Sequence, residues 1–107
     1  MKDETIYSFD DIAGTYTAVP EHIGTRRHIR HYSENREDIR DVALRGLDPG
    51  GIHRALDLGC SYGFFTEKLV HYLGPEADIT GIDLIEEGNR PSFLRILREA
   101  GSTGRFV

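Results

Sequence analysis

Residues 55–66 read Ala-Leu-Asp-Leu-Gly-Cys-Ser-Tyr-Gly-Phe-Phe-Thr. A short apolar run, two glycines four residues apart and a resumed helical stripe follow in that order, the pattern of a strand, a tight turn and a helix. The strand is bounded upstream by Gly46-Leu-Asp-Pro-Gly-Gly51, where glycine and proline stop a helix and favour a turn, so it spans His53 to Gly59. The helix runs from Tyr62 to Leu73 with Phe65, Leu69, Tyr72 and Leu73 on one stripe, and Gly74-Pro75 ends it. A second strand fits Asp78 to Asp83, and a second helix fits Pro91 to Ala100, with Pro91 in the first turn and Gly101 just past the end. Gly104-Arg-Phe-Val107 opens a third strand. Strands and helices alternating at these lengths predict an α/β fold, a Rossmann-like parallel sheet with flanking helices and right-handed crossovers, here truncated after the third strand.

Upstream the pattern weakens. Residues 1–24 place Tyr7, Phe9, Ile12, Tyr16 and Val19 among Gly14, Pro20 and Gly24 without a sustained period, which predicts an N-terminal arm or lid. From Thr25 to about Leu44, residues Ile29, Tyr32, Ile39, Val42 and Ala43 recur loosely at three- and four-residue spacing, so one helix with a buried stripe is expected there, Thr25 capping its start. Residues 25–107 are therefore read as the N-terminal part of one α/β domain.

Composition narrows the function classes. Hydrophobic residues at 38% and charged residues at 29% suit a globular chain with one core. The net charge of −5 gives no global attraction to nucleic acid or to an anionic membrane, so neither is an expected partner. Basic character is local: Arg26, Arg27, Arg30, Arg36 and Arg40 cluster with His28 and His31. Cys60 is the only cysteine, which excludes an intrachain disulfide. The acidic N-terminus lacks the apolar core of a signal peptide, and no apolar run approaches the roughly 20 residues of a membrane span. A cytoplasmic protein is expected.

The chemistry lies in the turn. Glycines at 59 and 63 let backbone approach a ligand where a Cβ would collide, and the next helix offers free N–H groups at its start. Twenty residues beyond Gly63, Ile79-Thr-Gly-Ile-Asp83 puts a carboxylate at a strand end, where it can accept both hydroxyls of a ribose. Either feature alone has an ordinary structural reading, as a tight turn or a cap; together in one βαβ unit they favour an adenosine-type site. A dinucleotide fingerprint starting at Gly59 would need glycine at 61 and a small residue at 64, where this chain has Ser61 and Phe64, and the Gly-Lys-Ser/Thr of a phosphate loop is absent. A cofactor with ribose and no phosphate fits.

On these residues the chain resembles a family. Leu56-Asp-Leu-Gly-Cys-Ser-Tyr-Gly63 is similar to the first motif of class I S-adenosylmethionine-dependent methyltransferases, and Gly81-Ile-Asp83 to their second. The resemblance implies S-adenosyl-L-methionine as cofactor, held by Asp57, Gly59, Cys60, Ser61, Gly63, Asp83 and Leu84. It implies that the backbone from Gly59 to Gly63 surrounds the methionine part, that Asp57 holds the amino group, that Asp83 takes the ribose hydroxyls and that Leu84 lies beside the adenine. Phe9-Asp-Asp-Ile-Ala-Gly-Thr-Tyr16 is similar to the N-terminal lid of small-molecule members, so the implied partner is a small methyl acceptor. Many members have glycine where this chain has Ser61, and a full domain of the family carries more strands than are found here.

Other readings compete. Gly59-Cys-Ser-Tyr-Gly63 also satisfies Gly-x-Ser-x-Gly, the nucleophile elbow of serine hydrolases, although no upstream strand or oxyanion loop precedes residue 53 and His71 is badly placed to serve. A non-catalytic fragment that keeps the fold is a third reading. His28 and His31 could share a helix face, but the neighbouring arginines repel a cation, so no metal is expected and a solvated basic face, or one binding an acidic substrate, is favoured. Cys60 without a nearby base reads as a packed small residue rather than a nucleophile.

Overall fold

The computed structural model describes residues 19–34 and 36–107. The arm or lid assigned to the first residues, with Phe9–Tyr16, lies outside the described residues up to position 18. Helix α1 (Val19–Tyr32) is followed by α2 (Ile39–Leu44), a 3-10 turn at Pro49–Gly51, strand β1 (Arg54–Leu58), α3 (Phe64–Leu73), β2 (Asp78–Ile82), α4 (Asn89–Ala100) and β3 (Thr103–Phe106). The sheet is three-stranded and all parallel, in the order β1-β2-β3. The fold is thus α/β and Rossmann-like, with helix boundaries set where glycine sets them. Gly74 closes α3 at φ +84° and Gly101 closes α4 at φ +71°, both positive-φ positions that glycine occupies without Cβ strain.

The single helix expected over Thr25–Leu44 is a correction. Helix α1 begins at Val19, so Thr25 is interior and caps nothing, and the helical run breaks after Tyr32. It restarts because Asp38 takes the cap position of α2, its side chain accepting the Arg40 N–H at 2.9 Å. The expected buried stripe is absent as well: Ile29, Tyr32, Ile39, Val42 and Ala43 are all exposed, and Leu44 is the buried residue of α2.

Parallel pairing aligns Ala55 with Ile79 and Ile79 with Gly104, and Asp57 with Gly81 and Gly81 with Phe106. Strand alternation puts these six on one face, which α3 and α4 cover. There Ile79 and Phe93 are 0% exposed and pack in one core with Leu44, Cys60, Leu69, Val70, Leu97 and Phe106, Phe93 meeting Phe106 edge to face at 5.7 Å. Gly104 must lack a side chain, because a Cβ there would run into the Ile79 carbonyl. The opposite face carries Leu56, Leu58, Thr80, Ile82 and Arg105, and Leu58 is 71% exposed. Among the described residues no helix is long and apolar enough to cross a membrane.

Candidate functional site

Where β1 runs out, the backbone turns through three left-handed residues within five positions: Gly59 at φ +67°, Ser61 at +53° and Gly63 at +101°. Ser61 is the one non-glycine with positive φ among the described residues, at a conformation that costs an L-residue roughly 1–2 kcal/mol. The turn is stitched to the end of β2, since the Gly59 and Cys60 N–H groups both donate to the Ile82 carbonyl, at 2.7 and 3.1 Å. Immediately beyond, Asp83 lies across the turn. Its Oδ2 accepts the Ser61 N–H at 2.8 Å and its Oδ1 accepts the Ile85 N–H at 3.0 Å. A carboxylate has about four acceptor sites, so two backbone bonds fix its orientation and leave capacity for two hydroxyl donors.

Asp57 points from β1 toward the covered side, half-buried, and accepts the Thr66 hydroxyl at 2.6 Å. Burial pushes its carboxyl above the ordinary aspartate range, the Thr66 hydrogen bond opposes that, and the Asp83 charge adds to it. Two carboxylates thus flank the turn on different sides. A cation supplied between them would relieve the one whose ionised form is disfavoured.

The glycines divide by what surrounds them. A Cβ on Gly59 would meet nothing within 4 Å, so open space lies above the turn there. A Cβ on Gly63 would stand 2.5 Å from Ile96 Cδ1, and one on Gly81 would stand 2.5 Å from Phe93 Cε2 and 2.8 Å from Cys60 Sγ. Close ligand approach is therefore possible at Gly59, whereas the smallness of Gly63 and Gly81 lets α4 sit down on the sheet. Gly63 precedes α3 without any side-chain cap, which leaves the first N–H groups of that helix available to an anionic group. Cys60 faces the core, free and buried, and its thiol is pushed up to about 12 by burial and by the Asp57 and Asp83 charges. It stays protonated at neutral pH, so only its backbone can face a ligand at the turn. Leu84 is 62% exposed next to Asp83 and presents an apolar surface at the same strand end.

Three partners went unassigned in the sequence. Thr66 and the Ile85 N–H orient the two carboxylates, and Arg40 reaches 24 residues forward to donate to the Phe64 carbonyl at 2.8 Å. Arg40 is itself held by Asp38, with bonds of 2.6–3.1 Å, and lies 4.4 Å from the centre of the Phe64 ring. The Thr66 position follows from helical spacing after a strand-end acid, but no local pattern announces a contact across 24 residues. His71 sits in the last turn of α3, at the other end of that helix from Ser61. His28 and His31 both pack on Tyr32, with ring centroids 4.8 Å away, and no cluster of three or more potential metal ligands forms among the described residues. Comparison with protein-family models, with curated proteins and with solved structures gives no match to this chain.

Proposed function

We propose that this chain is the cofactor-binding part of a class I S-adenosylmethionine-dependent methyltransferase acting on a small-molecule acceptor. The observation that carries the reading is the Asp83 carboxylate locked across the glycine turn by the Ser61 N–H, beside the open space over Gly59. This arrangement fits a ribose whose vicinal hydroxyls donate to Asp83, with Leu84 against the attached base. Asp57 suits the cofactor's ammonium, because a cation there offsets the burial that disfavours its charge. The uncapped start of α3 suits the cofactor's carboxylate. When bound, the cofactor supplies an activated methyl group on a sulfonium, for transfer to a nucleophilic oxygen, nitrogen or carbon. The chain's own contribution is orientation.

Isothermal titration with S-adenosylhomocysteine tests this. Wild type should bind, Asp83→Ala should bind at least about tenfold more weakly through loss of charge-assisted hydrogen bonds, and Ser61→Ala should bind nearly as wild type. Equal affinity of wild type and Asp83→Ala would remove Asp83 from the site, and no binding at millimolar ligand to folded protein would end the assignment. One observation favours a serine hydrolase instead: the left-handed backbone at Ser61, the middle residue of the elbow pattern. Covalent labelling of Ser61 by a fluorophosphonate would establish that alternative.

A further inference from the structure

Helix α1 turns Arg26, Arg27 and Arg30, together with Ile23 and Ile29, toward the body of the protein. Ile23, Arg26, Arg27 and Arg30 follow one helical face and line a groove of about 660 Å³ between α1, the start of α3 and α4. A helix packed for stability alone would bring an apolar stripe to such a contact. Here Arg26 instead lies 4.1 Å over the Phe64 ring, and Arg30 reaches Asp38 at 3.4 Å.

The groove's charges do not cancel. Asp38 is bonded by Arg40 and approached by Arg30, Glu67 is bonded by Arg40, and Glu37 is paired with Arg45. Among the described residues Arg26, Arg27 and Arg95 have no carboxylate partner, and Glu99 is the single lining acid left to face them. Ile23, Ile96 and the Phe64 ring add apolar wall between the guanidinium groups. A concave site of several hundred Å³ with an apolar wall and a few convergent charges has the dimensions and character of a small-molecule pocket.

We propose that this groove binds an organic anion, a molecule with an apolar body and a carboxylate or phosphate that Arg27 and Arg95 grip from α1 and α4. Arginine matches such oxygens because its planar fork donates two parallel hydrogen bonds. Tyr62, Gly63 and Phe64 line the groove and also form the end of the glycine turn, so the occupant touches the loop next to the Asp83 site. The groove's occupant is independent of the cofactor reading, because its binding is followed with ligands that carry no nucleoside.

The test titrates 4-phenylbutyrate, its neutral amide and inorganic phosphate into the protein, following backbone amide shifts. Phenylbutyrate should shift the amides of Arg27, Phe64 and Arg95 and bind at least about tenfold tighter than the amide, the size of effect a charge-assisted contact gives. An Arg27→Gln, Arg95→Gln double variant, altered only at exposed positions and checked for fold by circular dichroism, should lose that preference. The same double variant should leave S-adenosylhomocysteine affinity unchanged, which separates this site from the other. Acid and amide binding alike, an unchanged preference in the variant, or inorganic phosphate binding as well as phenylbutyrate would each overturn the proposal.

Discussion

The two faces of the sheet differ sharply in burial. On the face under α3 and α4, Ile79 and Phe93 are fully buried and two glycines, 81 and 104, exist to let packing groups meet. On the other, Leu56 at 57% and Leu58 at 71% exposure stand in solvent beside Thr80 and Arg105. Parallel sheets are ordinarily buried on both faces, so apolar residues at alternating positions of β1 are suited to a cover that only one face has among the described residues. Stability is therefore concentrated on one side, while the strand ends between the faces present the carboxylates and the open backbone of the candidate site.

Mutations read this asymmetry. Phe93→Ala empties the centre of the covered face and should cost about 3–5 kcal/mol, whereas Leu58→Ala should fall within about 0.5 kcal/mol of wild type; urea midpoints compare the two. A similar loss for both would show that something covers the second face. Gly81→Ala pushes a methyl group against Phe93 and Cys60 and should cost about 1–3 kcal/mol by overpacking, measurable as a lower Tm.

Two carboxylates make opposite predictions with pH. The Arg40 guanidinium, with Lys68 nearby, holds the Asp38 carboxyl well below its ordinary value. Asp38 therefore adds stability that is fully present above the unfolded value near pH 3.8 and is lost as pH falls below it toward the folded value. Asp38→Asn should lower Tm at neutral pH and flatten the acid limb of the Tm profile, and an unchanged acid limb would show that the Asp38 charge does not stabilise the fold. For Asp57 the sign reverses, because burial raises its carboxyl and the fold disfavours the ionised form as pH rises through that value. Asp57→Asn keeps an acceptor for the Thr66 hydroxyl, so Tm at neutral pH should rise modestly. A fall in Tm would mean that its charge has a partner in the free protein. Ser61→Gly relieves the left-handed strain and should stabilise by at most about 1 kcal/mol.

The βαβ part of this architecture is legible in sequence because its boundaries are backbone statements. Gly59, Gly63, Gly74 and Gly101 all have positive φ, and each falls where the apolar pattern changes period. The first helices are not legible in the same way. Ile29, Tyr32, Ile39 and Val42 continue a helical rhythm across a break, yet they are exposed, so the period there did not report burial. What separates α1 from α2 is a polar cap at Asp38, and what docks α2 is the Arg40 contact with the Phe64 carbonyl, both invisible to hydrophobic spacing. In the candidate site the sequence names Asp57, Gly59 and Asp83 but not their geometry. Gly63 and Gly81 read alike with Gly59 in one dimension and differ only once α4 is seen against them.

If Asp83 and the glycine turn form one ribose-binding unit, titration with S-adenosylhomocysteine should register in the chemical shifts of their backbone amides. The Ser61 and Ile85 N–H groups donate to the carboxylate that the hydroxyls would engage, so their resonances report its occupancy from both oxygens. Gly59, Ser61 and Ile85 should shift most, together and with one saturation curve, and in Asp83→Ala that curve should move to at least about tenfold higher ligand. Shifts confined to the open face of the sheet, or an unmoved curve in Asp83→Ala, would contradict a ribose-binding unit there.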